Sequence, residues 1–289
     1  MLTQQDVAEL NVAVEHLLLT GDPGEMQIIG AGEITCVVAW RGCACKRLPP
    51  FDDPARLAAY DSLLQEYLIK LNAAGIATLS TECRIVSRAD RQIAFLVQPR
   101  VAAEHCLPAW MKRVPQSQAI SMAVKVMELV RCATSQGVGI DANLSNWLVQ
   151  DDAPVYLDVS TPMLRDDAGR HRLDTEIFVA TLPGVVRGLV RKYFVTELLD
   201  RYYNPRSVFE NLLGDLPNSG LDPLTELLLA AANQRIGTPL TMEQIRAYRK
   251  EDRLTWNAIR QLLKVEQWWR RYILRASHPH LLPSQFSRT

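Results

Sequence analysis

Residues 139–162 read G-I-D-A-N-L-S-N-W-L-V-Q-D-D-A-P-V-Y-L-D-V-S-T-P, and they set three oxygen-bearing side chains, Asp141, Asn146 and Asp158, around one short hairpin. Trp147 to Val149 and Val155 to Leu157 are brief apolar runs, and Asp151, Asp152, Ala153 and Pro154 between them have the composition of a hairpin turn. Asp141 and Asn146 therefore belong at the entry of the hairpin and Asp158 at its exit, where the two ends can meet. A carboxylate, a carboxamide and a second carboxylate converging on one point suit a hard cation and a proton acceptor.

Working outward, the chain before this stretch carries strand signals and the chain after it helical ones. Thr3 can cap a helix whose apolar positions Val7, Leu10, Val14, Leu17 and Leu18 recur at helical spacing, ended by Gly21 to Gly24. Met26 to Ile29, Ile34 to Trp40 and Cys43 to Leu48 read as three strands of an antiparallel meander. Pro54 to Ala73 is an amphipathic helix, and Glu82 to Ser87 and Ile93 to Gln98 complete five strands. An irregular connector, 101–115, leads to a helix over Ser117 to Ser135. Beyond Asp174, helices are expected over Glu176–Tyr203, Pro205–Leu213, Leu221–Gln234, Met242–Tyr248 and Arg253–Ser277.

The order of these features resembles the protein-kinase-like fold, closest in pattern to its aminoglycoside phosphotransferase and choline kinase branch. The pattern D-x-x-x-x-N with a hairpin and a further Asp is similar to that family's catalytic loop and metal-binding segment. Gly30 to Thr35, G-A-G-E-I-T, resembles a glycine loop over a nucleotide. Lys46 stands where the family places the lysine that holds the α- and β-phosphates, and Glu66, 20 residues further on, where it places the glutamate orienting that lysine. The resemblance implies an α+β, two-lobe fold: a small five-stranded antiparallel N-lobe over 1–98 and a larger, mainly helical C-lobe over 99–289, with a hinge at Gln98 to Arg100. It implies Mg²⁺ with ATP or GTP, held by Gly30, Gly32, Lys46, Glu66 and Gln98, with Asn146 and Asp158 as metal ligands and Asp141 as catalytic base. The activity implied is phosphoryl transfer to a hydroxyl of a small molecule.

Three features depart from the protein-kinase pattern. Gly139 stands where a His is usual, the second Asp opens D-V-S rather than D-F-G, and no A-P-E follows. Helical periodicity resumes at Asp174, only 16 residues after Asp158, leaving little room for docking a peptide. A nucleotide-binding pseudokinase and a nucleotidyl transferase are the alternatives on the same residues.

Composition narrows the class. With 48% hydrophobic and 22% charged residues the chain can bury a sizeable core, and 32 basic against 32 acidic residues give no overall field for nucleic acid or an anionic membrane. The six cysteines form no metal-ligand spacing and read as free thiols. No apolar run spans a bilayer, so the expectation is a soluble, cytoplasmic protein whose partners are nucleotide and small molecule. Two further features stand outside this scheme. Trp268, Trp269, Arg270, Arg271, Arg275, His278 and His280 form a basic aromatic patch, read first as helix anchoring with solvated charge. Asp166, Asp167, Asp174 and Glu176 could line a cationic-substrate pocket or simply complement a helix dipole.

Overall fold

The computed structural model of the protein describes residues 2–31, 36–88, 91–176 and 196–269. It is an α+β structure in which roughly half of the described residues are helical. Helix α1, Gln4–Thr20, opens on a capping box in which the Thr3 hydroxyl and the Asp6 side chain satisfy each other's backbone amides, and it ends at Gly21 in the left-handed region (φ 80°). Strands β1 (Gln27–Ala31), β2 (Cys36–Trp40) and β3 (Cys43–Arg47) form the expected meander. With β5 (Glu82–Arg88) and β6 (Arg91–Pro99) they complete a five-stranded antiparallel sheet of order β1-β2-β3-β6-β5.

The two-residue period of a strand decides what each face of this sheet does. On β3, Cys43, Cys45 and Arg47 are buried, while Ala44 and Lys46 between them are half-buried. Cys43 and Cys45 join Ile93, Phe95 and Val97 of β6 in an apolar cluster with Val7, Leu10, Val14 and Leu17 of α1. Ala94 and Leu96 belong to a second, larger cluster. Lys46 pairs in register with Leu96, and Ala44 with Gln98, so Lys46 and Gln98 share the face turned away from α1. Burial pushes the Cys36 thiol up to about 11 and the Cys45 thiol up to about 12, and all six cysteines are free.

Helix α2, Pro54–Ala73, has its expected bounds, fixed by the Asp53 side chain accepting from the Ala55 amide and by Pro54 in the first turn. It packs Leu57, Tyr60, Leu64, Tyr67 and Leu71 into the larger cluster. The chain then runs through β4 (Ala77–Thr78), β5 and β6 into a connector that is not wholly irregular: a 3₁₀ turn at Ala103–His105 precedes a short α3, Leu107–Met111. Helix α4, Gln116–Ser135, leads to the loop of Asp141. The hairpin pairs β7 (Trp147–Gln150) with β8 (Ala153–Tyr156), and β4 joins in parallel on its other side. Its turn is shorter than expected, because Asp151 and Asp152 alone, both at positive φ (50° and 58°), supply a two-residue reversal and leave Ala153 and Pro154 to the strand. Inside, the Trp147 and Tyr156 rings meet at 5.0 Å, tilted by 56°.

Among the described residues four more α-helices follow: α5 (Thr196–Arg201), α6 (Pro205–Asp215), α7 (Thr225–Asn233) and α8 (Met242–Trp269). The two helices expected over 242–277 are one through Trp269, since Arg249 to Asp252 contain no Gly or Pro and are charged residues content on a solvated helix face. Most of the helix expected over Glu176–Tyr203 lies outside the described residues, as do Gly32, Thr35, Arg270, Arg271, Arg275, His278 and His280. Among the described residues no helix is long and apolar enough to cross a membrane.

Because Leu10 is fully buried between α1 and the sheet, α1 is part of the core. Leu10→Ala should destabilise the protein by about 2–5 kcal/mol in urea denaturation. An unchanged midpoint would mean that α1 is dispensable.

Candidate functional site

The loop before β7 owes its shape to a close approach. The Gly139 amide donates to the Met163 carbonyl (3.0 Å) and the buried Tyr67 hydroxyl donates to the Gly139 carbonyl (2.9 Å). A Cβ at residue 139 would lie 2.8 Å from Met163 Cβ and 2.9 Å from the Tyr203 ring. No side chain, and certainly no imidazole, fits there without displacing its neighbours, which explains why glycine occupies this position. Asp141 follows two residues later, its Oδ1 accepting from the Asn143 amide (3.2 Å) and from Asn211 Nδ2 on α6 (3.3 Å). Burial pushes the Asp141 carboxyl up to about 6; the Asn143 amide opposes this and the Asp158 charge adds to it. Asn146 donates its amide nitrogen to the Asp141 carbonyl (3.4 Å).

Across the hairpin, Val159 is buried and its amide donates back to the Leu157 carbonyl (3.1 Å), a tight three-residue turn that presents Asp158. Lys46 Nζ, from the far sheet, donates to Asp158 Oδ1 (3.0 Å) and Oδ2 (3.1 Å) and to the Ser160 hydroxyl (2.7 Å). Ser160 in turn donates its hydroxyl to Asp158 Oδ1 (2.6 Å). Burial raises the Asp158 carboxyl, but the Lys46 charge and the bonds from Ser160 and Lys46 outweigh it and hold the group below its ordinary value. The Asp158 side chain still keeps 38% of its exposure, so it is enclosed without being sealed.

Gln98 sits on β6, not in a loop, with Pro99 paired to Cys43 at the strand's end. Its amide donates to the Thr81 hydroxyl and to the Leu157 carbonyl, both at 2.9 Å, tying the sheet to the Asp158 segment. Gly30 stands at an irregularity of the β1–β2 ladder, opposite Val37. Glu66 is the clear correction. It does not meet Lys46 but forms a two-pronged pair with Arg172, both contacts at 2.7 Å. The reason is helical phase: the buried face of α2 is centred near Tyr60 and Tyr67, and Glu66 stands roughly 120° round the helix from it. The acidic loop is likewise committed elsewhere, with Asp166 closing its own turn onto the Ala168 and Arg170 amides and Asp174 paired with Arg56 (2.8 Å).

A cavity of about 320 Å³ adjoins Asp141, walled by Asn143, Asn211, Asp215, Tyr248 and Asp252. Burial also raises the Asp215 carboxyl. A larger apolar groove, about 640 Å³, runs beside Val12 of α1 and Trp40 and includes no group of this site. Among the described residues no three His, Cys, Asp or Glu side chains gather as a metal cluster. Ser160, Asn211 and Arg172 were not singled out by sequence; only the replacement of glycine by serine in D-V-S could have signalled one of them.

With this geometry defined, comparison with protein families gives a match. Residues 40–267 fit the family described as "Family of unknown function (DUF6206)". The chain belongs to DUF6206. The match takes in Lys46, Asp141, Asn146, Asp158 and Ser160 and leaves α1 and β1 of this DUF6206 chain outside it. No curated protein matches the chain.

Two outcomes follow from this DUF6206 site. Gly139→Ala should destabilise the protein by roughly 1–3 kcal/mol, read from the denaturant midpoint, because a methyl there overpacks against Met163 and Tyr203. For Asp141, a carboxyl raised from 3.8 to about 6 on folding contributes stability that is present below the unfolded value and lost as pH rises through the folded one. In metal-free protein, Asp141→Asn should therefore flatten the fall in melting temperature between about pH 4 and 6; a profile unchanged by the substitution would contradict the raised value.

Proposed function

We propose that this protein is an ATP- or GTP-dependent phosphotransferase acting on a hydroxyl of a small molecule, on a two-lobe kinase-like arrangement with α1, the sheet and α2 in the smaller lobe. The observation that carries the reading is the meeting of Lys46 with Asp158, 112 residues apart in the chain, beside a loop that sets Asp141 against a cavity. The donor set suits magnesium: a carboxylate of Asp158 that is not sealed and the carboxamide oxygen of Asn146 are hard oxygen ligands. Bound with a nucleotide, the ion would neutralise charge on the phosphates.

In this scheme Lys46 exchanges Asp158 for the nucleotide phosphates, and the acceptor lies in the cavity with its hydroxyl at Asp141. The hydroxyl oxygen attacks the γ-phosphorus, the bond from that phosphorus to the bridging oxygen breaks, and the nucleoside diphosphate leaves with the bonding pair. The hydroxyl proton passes to the Asp141 carboxylate. The cavity volume, about 320 Å³, supports a small acceptor rather than a folded protein. A second reading, a nucleotide-binding protein without transfer, is favoured by one observation: Glu66 is engaged by Arg172 and not by Lys46.

The test uses two variants with different duties. Wild-type protein should gain melting temperature with magnesium and ATP or GTP by mass action. Asp158→Ala should weaken that binding, whereas Asp141→Ala should leave it nearly intact and lower turnover by roughly 10²- to 10⁴-fold. Absence of any thermal or calorimetric response to either nucleotide would end both readings, and binding without transfer to any metabolite in a broad screen would favour the second.

A further inference from the structure

The group that holds Lys46 beside Asp158 is a hydroxyl. Ser160 is buried, at 8% exposure, and takes part in four hydrogen bonds. A hydroxyl has one proton and two lone pairs, so the bond it gives to Asp158 Oδ1 (2.6 Å) and the bond it takes from Lys46 Nζ (2.7 Å) use it in one orientation only. Its backbone is fixed as well: the Ser160 amide donates to Asp158 Oδ1 (3.2 Å), and the buried Tyr60 hydroxyl of α2 donates to the Ser160 carbonyl (2.9 Å).

We infer that Ser160 is the positioning residue for Lys46, linked through Tyr60 to α2, and that it performs here the orienting task for which no α2 carboxylate is within reach. The inference rests on the nucleotide-binding reading above. Its chemical sense lies in charge. When a cation and phosphates draw Asp158 and Lys46 apart, the ammonium loses its carboxylate, and the neutral Ser160 oxygen can continue to hold it. A second carboxylate would compete with the phosphates for the ammonium; a hydroxyl leaves its full positive charge for them. Glu66, two-pronged on Arg172, is not available for the purpose.

The experiment compares Ser160→Ala, Ser160→Thr and Tyr60→Phe with wild type by two readouts. The first is the Kd for magnesium-ATP and magnesium-GTP by calorimetry. The second needs no nucleotide: the rate at which Lys46 in the full chain is acetylated by N-hydroxysuccinimide acetate, followed by peptide mass spectrometry. Ser160→Ala should raise the nucleotide Kd about tenfold and speed acetylation of Lys46 about fivefold, the effect of losing one charge-assisted hydrogen bond. Ser160→Thr, which keeps the hydroxyl, should restore both towards wild type. Tyr60→Phe should shift both in the same direction as Ser160→Ala, by less. Wild-type values for Ser160→Ala in both assays, or loss of restoration by a folded Ser160→Thr, would overturn the assignment. If acetylation responds as stated while wild type binds no nucleotide, Ser160 positions Lys46 and the nucleotide reading is the one that fails.

Discussion

Two phenols on one face of α2 must find acceptors, because a hydroxyl buried without a partner is costly. Tyr60 and Tyr67 are seven residues apart, two helical turns, and each finds a backbone carbonyl: Ser160 for the first and Gly139 for the second. Those carbonyls belong to the segments carrying Asp158 and Asp141. The spacing of two tyrosines therefore fixes the distance between the two acidic segments, and the rest of the site is built on that distance. Gly139 has to be bare for its carbonyl to reach Tyr67 while Met163 and Tyr203 crowd its other side.

The ion pairs around α2 differ in weight. Glu66 with Arg172 and Arg56 with Asp174 lie in partly exposed positions, where such pairs contribute about 0–1 kcal/mol. They orient the segment after Asp158 more than they hold it. Lys46 with Asp158 is more enclosed on the lysine side, at 19% side-chain exposure, but the open carboxylate brings solvent screening and tempers its contribution to stability. A pair that is close without being sealed can be exchanged for other partners, as a binding site requires.

Much of the fold was legible because the signals were local. Thr3 and Gly21 bound α1, Pro54 opens α2, and the alternation along β3 places Cys43 and Cys45 opposite Lys46 in facing. The hairpin, too, could be read from its apolar runs, though two left-handed aspartates made its turn shorter than composition suggested. The family resemblance named Lys46 and Asp158 as members of one site without pairing them, and the structure brings the two into contact. Where that resemblance was extended to Glu66, the helical phase set by the buried residues of α2 moved the carboxylate away from Lys46. Asn211 reaches Asp141 across 70 residues, and nothing near either position in the chain announces the contact.

Burial gives Cys45 of strand β3 a chemical immunity. Attack by peroxides and electrophiles proceeds through the thiolate. With the buried Cys45 thiol pushed up to about 12, that form is rare at neutral pH. Lys46, at the centre of the candidate site, thus sits one residue from a sulfur that oxidants would bypass while the sheet stays closed.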